Sequence, residues 1–223
     1  MLDALLSLIV PRACAGCSAA GPLWCETCVA ELEPVGSPSC GRCGAPTRWQ
    51  LEACRECRGW QPAFDVAWAA VAHRNTGAAL VRVWKDRGLD LADVAARVIE
   101  ERRVPPDVDC LCAVPASGAR ARRRGVDGPS GLAGALALRW EIPVERDVLT
   151  RRRDAPPQRG LSRRERRVNL RDVFACTSGA PARVALIDDV YTTGATADAC
   201  ARALRGAGAE HVEVLTFARA LRE

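Results

Sequence analysis

Eight cysteines stand near the start of the chain as four Cys-x-x-Cys pairs: Cys14 and Cys17, Cys25 and Cys28, Cys40 and Cys43, Cys54 and Cys57. Such a turn sets two thiolates on one side of a tight loop, which is half of a tetrahedral zinc site. Because every thiolate has a paired neighbour, no open ligand position is suggested. The chemistry these residues suit is structural Zn2+, one or two ions, rather than catalysis. Spacing leaves the pairing open. Sequential pairing gives 14/17/25/28 and 40/43/54/57; cross-braced pairing gives 14/17/40/43 and 25/28/54/57. A disulfide framework would need an oxidising compartment, and residues 1–10 lack the basic start and cleavage site of an export signal. A redox couple needs one such pair, not four.

The second chemical segment is residues 183–200, RVALIDDVYTTGATADAC. An apolar strand runs into two adjacent carboxylates, Asp188 and Asp189. A short loop through Thr192, Thr193, Gly194, Ala195 and Thr196 then opens a helix. Backbone N–H groups at a helix start carry partial positive charge and bind phosphate. The threonines add hydroxyl donors. Two carboxylates at the strand end can accept from a vicinal diol such as that of ribose, or hold Mg2+ through water. A bare helix cap would explain the threonines, but two carboxylates pressed together repel, and that arrangement suits a ligand.

Elements that position these groups follow from periodicity. Residues 67–72, 109–115, 142–149, 182–187 and 212–217 read as strands; 89–101, 130–140 and 196–204 read as helices. Strands alternating with helices predict an α/β fold, a doubly wound and mainly parallel sheet, with ligands at the carboxyl ends of the strands. Residues 1–60 have few large aliphatics after Val10, so metal must supply the folding free energy there. The expected division is a small zinc-ribbon-like module over 1–60 and a ligand-binding domain over 61–223.

Composition bounds the rest. With 48% hydrophobic and 26% charged residues the chain is globular, not disordered or fibrous. No apolar run approaches the ~18–20 residues of a membrane span, so a cytoplasmic location is expected. Thirty-one of the 32 basic residues are arginine; Lys85 is the single lysine. Residues 115–171 carry fifteen arginines against six acids, whereas 1–60 carry a net charge of −1. The basicity is local, as for an anion site or a nucleic-acid face.

On these segments the chain resembles the ComF family, whose carboxy-terminal part is a type I phosphoribosyltransferase domain behind a Cys-x-x-Cys module. The resemblance rests on residues 183–200, the cysteine module, WKDRG at 84–88, AVPASGARARRRG at 113–125 and PQRGLSRRERRVNLRDVF at 157–174. Val126, Asp127 and Gly128 depart from the aromatic and Asn-Gln pair usual there, and His73 stands where a tyrosine is common.

What the resemblance implies is specific. The ligand is phosphoribosyl pyrophosphate (PRPP) with Mg2+, bound by Asp188, Asp189, Thr192, Thr193, Gly194, Ala195 and Thr196. Its pyrophosphate would lie on the loop 115–125, with Ser117, Arg120 and Arg124 as contacts. A flexible loop carrying Gln158, Arg163, Arg166, Arg167 and Asn169 would close over it. Arginines that meet the departing pyrophosphate only after closure stabilise the transition state selectively, which makes Arg163 and Arg167, with Asp188 and Asp189, the expected catalytic residues. The implied role is handling incoming single-stranded DNA in natural transformation. A different class, a non-catalytic adaptor that binds DNA or a helicase or recombination partner, fits the same residues. Trp24, Trp49 and Trp60 could supply stacking platforms for nucleic-acid bases, but are expected to pack around the metal sites. Cys110, Cys112, Cys176 and Cys200 are expected to be buried or inert, and His73 and His211 structural.

Overall fold

The computed structural model describes residues 13–87, 91–116, 127–153, 162, 165, 168–170 and 172–221. Its centre is a four-stranded, wholly parallel sheet in the order β1–β6–β5–β2, with β1 at Val66–Ala72, β2 at Cys110–Ala113, β5 at Arg183–Tyr191 and β6 at His211–Arg219. β5 and β6 are nearly continuous apolar runs. That composition suits strands covered on both faces. On one face lie α3 (Asn75–Arg87), α4 (Ala92–Arg102) and α5 (Gly128–Trp140). On the other lie α6 (Ala195–Gly206) and a two-stranded antiparallel ribbon of β3 (Leu149–Arg151) and β4 (Phe174–Cys176). The expected doubly wound α/β architecture is therefore present.

Three local expectations need correction. Residues 142–149 do not form a strand: Val144 alone bridges Leu111, flanked by bonds from Leu111 N to the Pro143 carbonyl and from Glu145 N to the Leu111 carbonyl. Pro143 has no N–H to continue a ladder, and the charged run from Glu145 to Asp147 has no apolar face to bury. The strand expected to end at 187 continues through both aspartates to Tyr191. α3 was not anticipated; its buried Leu80, Val81 and Trp84 fall one helical turn apart.

The cysteine module is built onto the sheet. It contains two short helices, α1 (Glu26–Ala30) and α2 (Arg55–Trp60). Cys14, Trp24, Cys28 and Leu32 join the core under α4 and α5, and Cys40, Cys43 and Cys57 join the core under α6. Between them the chain runs along the outer edge of β1. Ala72 N donates to the Glu33 carbonyl at 2.8 Å, Pro34 pairs antiparallel with Val71, and Ala67 N donates to the Arg42 carbonyl at 2.7 Å. Arg102 clamps both layers, donating to the carbonyls of Ala70 and Leu32.

Gly44 sits in this contact with φ +68°, and a Cβ there would lie 2.4 Å from the Ala67 carbonyl oxygen. The space is backbone on both sides and cannot yield cheaply. Gly44→Ala is expected to cost about 1–3 kcal/mol, read as a lowered midpoint in thermal unfolding.

Candidate functional site

The sulfur atoms form two clusters, Cys14, Cys17, Cys25 and Cys28, and Cys40, Cys43, Cys54 and Cys57, each with all its ligand atoms within 4.8 Å of one another. Pairing is thus sequential. Cys14–Cys28 and Cys17–Cys25 are each 3.7 Å apart, Cys43–Cys54 3.8 Å and Cys40–Cys57 4.0 Å. Tetrahedral zinc with Zn–S bonds of about 2.3 Å places sulfurs about 3.8 Å apart. These donor sets fit structural zinc, with all four positions filled by protein. Backbone N–H groups support the thiolates: Cys14 Sγ accepts from Gly16 and Cys25, and Cys40 Sγ from Cys43 and Cys54. Burial opposes ionisation of Cys14, but backbone N–H groups prevail and bring it down to about 6. A hydrogen bond from the Cys57 thiol outweighs burial at Cys43 and brings it down to about 5, with help from the Ala45 N–H and the Arg219 guanidinium.

The second site lies at the carboxyl end of β5. Asp188 Oδ1 accepts from Asp189 N at 2.8 Å, and Asp189 Oδ1 lies 2.8 Å from Lys85 Nζ on α3. Burial first, then the charges of Asp189 and Asp127, push the Asp188 carboxyl up to about 7 against the pull of Lys85. Asp127, at the start of α5, is itself raised by burial although Ser130 Oγ donates to its Oδ2 at 2.6 Å. Burial and the nearby Lys85 lower the His73 imidazole.

Beyond Tyr191 the chain turns into α6. Gly194 has φ +73°, and a Cβ there would come within 2.3 Å of Tyr191 Oη and 2.7 Å of Trp60. Glycine is the residue this approach admits. Ala195 N donates to Thr193 Oγ1 at 3.4 Å, and Asp198 N to the Gly194 carbonyl at 2.8 Å. Asp198 does not face the loop's ligand side; it accepts from Ala63 N and Arg202.

The loop rests on the second metal centre. Arg219, at the end of β6, is buried; it donates to the Cys43 carbonyl and to Cys43 Sγ at 3.7 Å, and its guanidinium lies 4.3 Å from the Tyr191 ring. Trp60, Phe64 and Tyr191 pack edge to face in series. Cys43, Cys57, Trp60, Tyr191, Thr193 and Arg219 line one small recess between centre and loop.

The structure therefore gathers Asp188, Asp189, Thr192, Thr193, Gly194, Ala195 and Thr196 at one strand end. Asn169 lies half-buried beside the buried Leu170. Ser117, Arg120, Arg124, Gln158, Arg163, Arg166 and Arg167 lie outside the described residues. Trp24 is buried in the first module core, where a Cβ on Gly16 would touch it, and Trp60 packs by Cys57. Trp49 breaks the expectation: it is 58% exposed, with the Arg48 guanidinium 4.6 Å from its ring. Cys110, Cys112 and Cys200 are buried, with their thiols raised by burial; Cys176 is half-buried and raised likewise. His211 contacts Asp65 at 3.3 Å. Arg219 and the Asp127 carboxyl carried no signal in the sequence. Lys85 did, as the single lysine and as part of the family-like WKDRG segment from which it could reach a ligand or lie at the surface; its pairing with Asp189 was not readable.

Fold and site together define a class: a pair of four-thiolate ribbons set on a parallel α/β domain with an acidic strand end. Residues 5–58 match the double zinc ribbon domain family. Over 212 residues the chain is 28% identical to competence protein F of Haemophilus influenzae, covering 88% of this chain and 90% of the relative. It is 26% identical over 201 residues to competence protein ComFC of Streptococcus pneumoniae (87% of each). It is 27% identical over 191 residues to DNA utilization protein YhgH of Escherichia coli O157:H7 (82% and 84%). Over most of its length the chain is thus similar to competence and DNA-utilization proteins, and its amino-terminal residues carry a double zinc ribbon. Among the described residues no helix is long and apolar enough to cross a membrane.

Two outcomes are expected. The purified chain holds two zinc ions by elemental analysis, and Cys43→Ser retains one. Asp188, ordinarily near 3.8, holds its proton to about 7 when folded. The folded state then binds more protons than the unfolded chain between these values, so the stability present below pH 4 is lost as pH rises through 7. Asp188→Asn removes that loss. Urea unfolding should show its advantage over wild type growing by on the order of 1–3 kcal/mol between pH 4 and pH 8; an advantage independent of pH overturns the assignment.

Proposed function

We propose that the chain binds PRPP with Mg2+ through a phosphoribosyltransferase-type domain over 61–223, and that residues 1–60 are its structural metal module. The observation that carries this reading is the strand end itself. Two adjacent carboxylates on β5 lead within five residues to a glycine turn and the start of the twelve-residue helix α6. A phosphate at the helix start and a ribose diol on the carboxylates satisfy both halves at once. Asp188, poised near neutrality, can donate to one hydroxyl while Asp189 accepts from the other. Bound Mg2+ would neutralise phosphate charge, with Asp188 and Asp189 as its protein partners through water. Transfer then moves the ribosyl carbon from pyrophosphate to an acceptor nucleophile. Arg163 and Arg167 would meet the charge on the departing pyrophosphate, Ser117, Arg120 and Arg124 would hold it, and Gln158, Arg166 and Asn169 would complete the closing loop.

The names of the relatives support service in competence, where the chain would handle incoming single-stranded DNA. The adaptor reading keeps one observation of its own: Trp49 with Arg48 is an exposed aromatic–guanidinium pair on the metal module, a fit for base stacking.

Calorimetric titration with PRPP and Mg2+ tests the proposal. Saturable binding is expected for the zinc-loaded chain, with at least a hundredfold loss in the Asp188→Asn, Asp189→Asn double variant. No binding at millimolar PRPP sinks the ligand reading. Pyrophosphate release separates transferase from adaptor.

A further inference from the structure

Lys85 is the single lysine in a chain with 31 arginines. Apart from His211 with Asp65, the other ion pairs of the described residues are made by arginine, among them Arg74 with Glu33, Arg97 with Glu26, Arg139 with Asp93 and Glu100, Arg183 with Asp107, and Arg205 with Asp65. Each of these tethers one surface segment to another. The lysine occupies a different place. Its ammonium lies 2.8 Å from Asp189, near the carboxyl end of β5, with the lysine side chain 33% and the aspartate 16% exposed.

The choice of cation has a chemical consequence. A guanidinium is a rigid fork that grips a carboxylate at two points, whereas an ammonium is a point charge with three rotatable donors on a flexible stem. An arginine at position 85 would seal Asp189; a lysine can let go. The neighbouring Trp84 anchors the helix: it is buried and packs edge to face on Phe217 of β6 at 6.3 Å, and a Cβ at Gly128 would lie 3.4 Å from its ring. Exchange is therefore assigned to the flexible stem of Lys85.

The charges facing the ammonium also call for exchange. Asp189 pairs with it, Asp188 and the half-buried His73 just after β1 feel its charge, and Asp127, just before α5, adds a third carboxyl beside the two aspartates of β5. If the carboxylates accept ligand hydroxyls, the ammonium loses its partner inside a partly desolvated crevice. A phosphate oxygen of the same ligand is the nearest chemistry that restores one.

We propose that Lys85 is an exchangeable counter-ion of the acidic pair: it holds Asp189 while the site is empty and passes to a phosphate of the sugar-phosphate ligand on binding. The inference rests on the PRPP reading above. It makes Lys85 a ligand-binding residue and assigns the crevice a ligand with an anionic group on the α3 side of the diol.

The test uses the zinc-loaded full chain and Mg-PRPP. Because the chain has one ε-amine, acetylation of Lys85 is read cleanly by mass spectrometry. Saturating Mg-PRPP is expected to slow it at least fivefold, and Mg2+ alone to leave it unchanged. This footprint needs no variant and so stands whatever a substitution does to folding. In calorimetry, Lys85→Met is expected to weaken Mg-PRPP at least tenfold, and Lys85→Arg to weaken it too rather than rescue it. Wild-type affinity in Lys85→Met, or an unchanged acetylation rate under saturating ligand, overturns the role of Lys85 and leaves the PRPP reading intact. Wild-type affinity in Lys85→Arg overturns the exchange. Absence of binding by the wild-type chain overturns the PRPP reading and this inference with it.

Discussion

The guanidinium of Arg219 joins three parts of the molecule that otherwise have little reason to stay in register. It closes β6, donates to the carbonyl and sulfur of Cys43, and stacks on Tyr191. A zinc ion with four thiolates carries net negative charge, and a buried cation beside one sulfur offsets it. The same cation fixes the ring that Gly194 must pass. The second metal centre is thereby a footing for the loop, and the small recess between them is lined from both sides. Among the described residues the first centre shows no such tie to the strand end; it braces α4 through the core around Trp24 and Leu32. Two ribbons of the same chemistry are thus placed under different parts of the sheet.

Charge at the strand end is the complementary constraint. Two neighbouring carboxylates within a sheet would be costly if both were ionised, and the fold answers with burial that holds the Asp188 proton and with an ammonium on Asp189. The site is held in tension: it is stable enough to form empty, and each of its compensations is one a ligand can replace. That tension is local, because the strands around it are packed on both faces and give it a rigid frame.

How much of this was legible follows from which interactions are local in sequence. The Cys-x-x-Cys turns carry their geometry within four residues, so the metal sites could be read directly. Which turns would share an ion could not, because that depends on where the chain between residues 31 and 40 runs. The segment from Arg183 to Thr196 announced strand, acids and helix in order, and erred only in ending the strand early: Asp188 and Asp189 look like loop residues, yet β6 pairs with both sides of them. Residues 142–149 looked like a strand because Ile142, Val144 and Val148 alternate, and Pro143 removed the donor that a ladder needs. Arg219 had no signal at all. One more arginine near the end of an arginine-rich chain has nothing local to distinguish it; its meaning comes from a sulfur 176 positions away. Trp49 was misplaced for a related reason, since its neighbours in sequence are metal-module residues and its neighbours in space are solvent and Arg48.

The segment along β1 has a consequence for the chain's colloidal behaviour. Glu33 and Pro34 cover the outer edge of the sheet, and Pro34, with no N–H to offer, presents a blunt outer margin in its place. That cover is strung between the two thiolate clusters and is held along its length by bonds from Ala72, Arg74, Asn75 and Arg102. Stripping the metals would slacken both ends, lift the cover and bare the donors and acceptors of Val66–Ala72, a hydrophobic strand with few polar interruptions. The zinc ions then act as guards against self-templated β assembly. Loss of metal would then open a strand edge, with aggregation as the expected consequence.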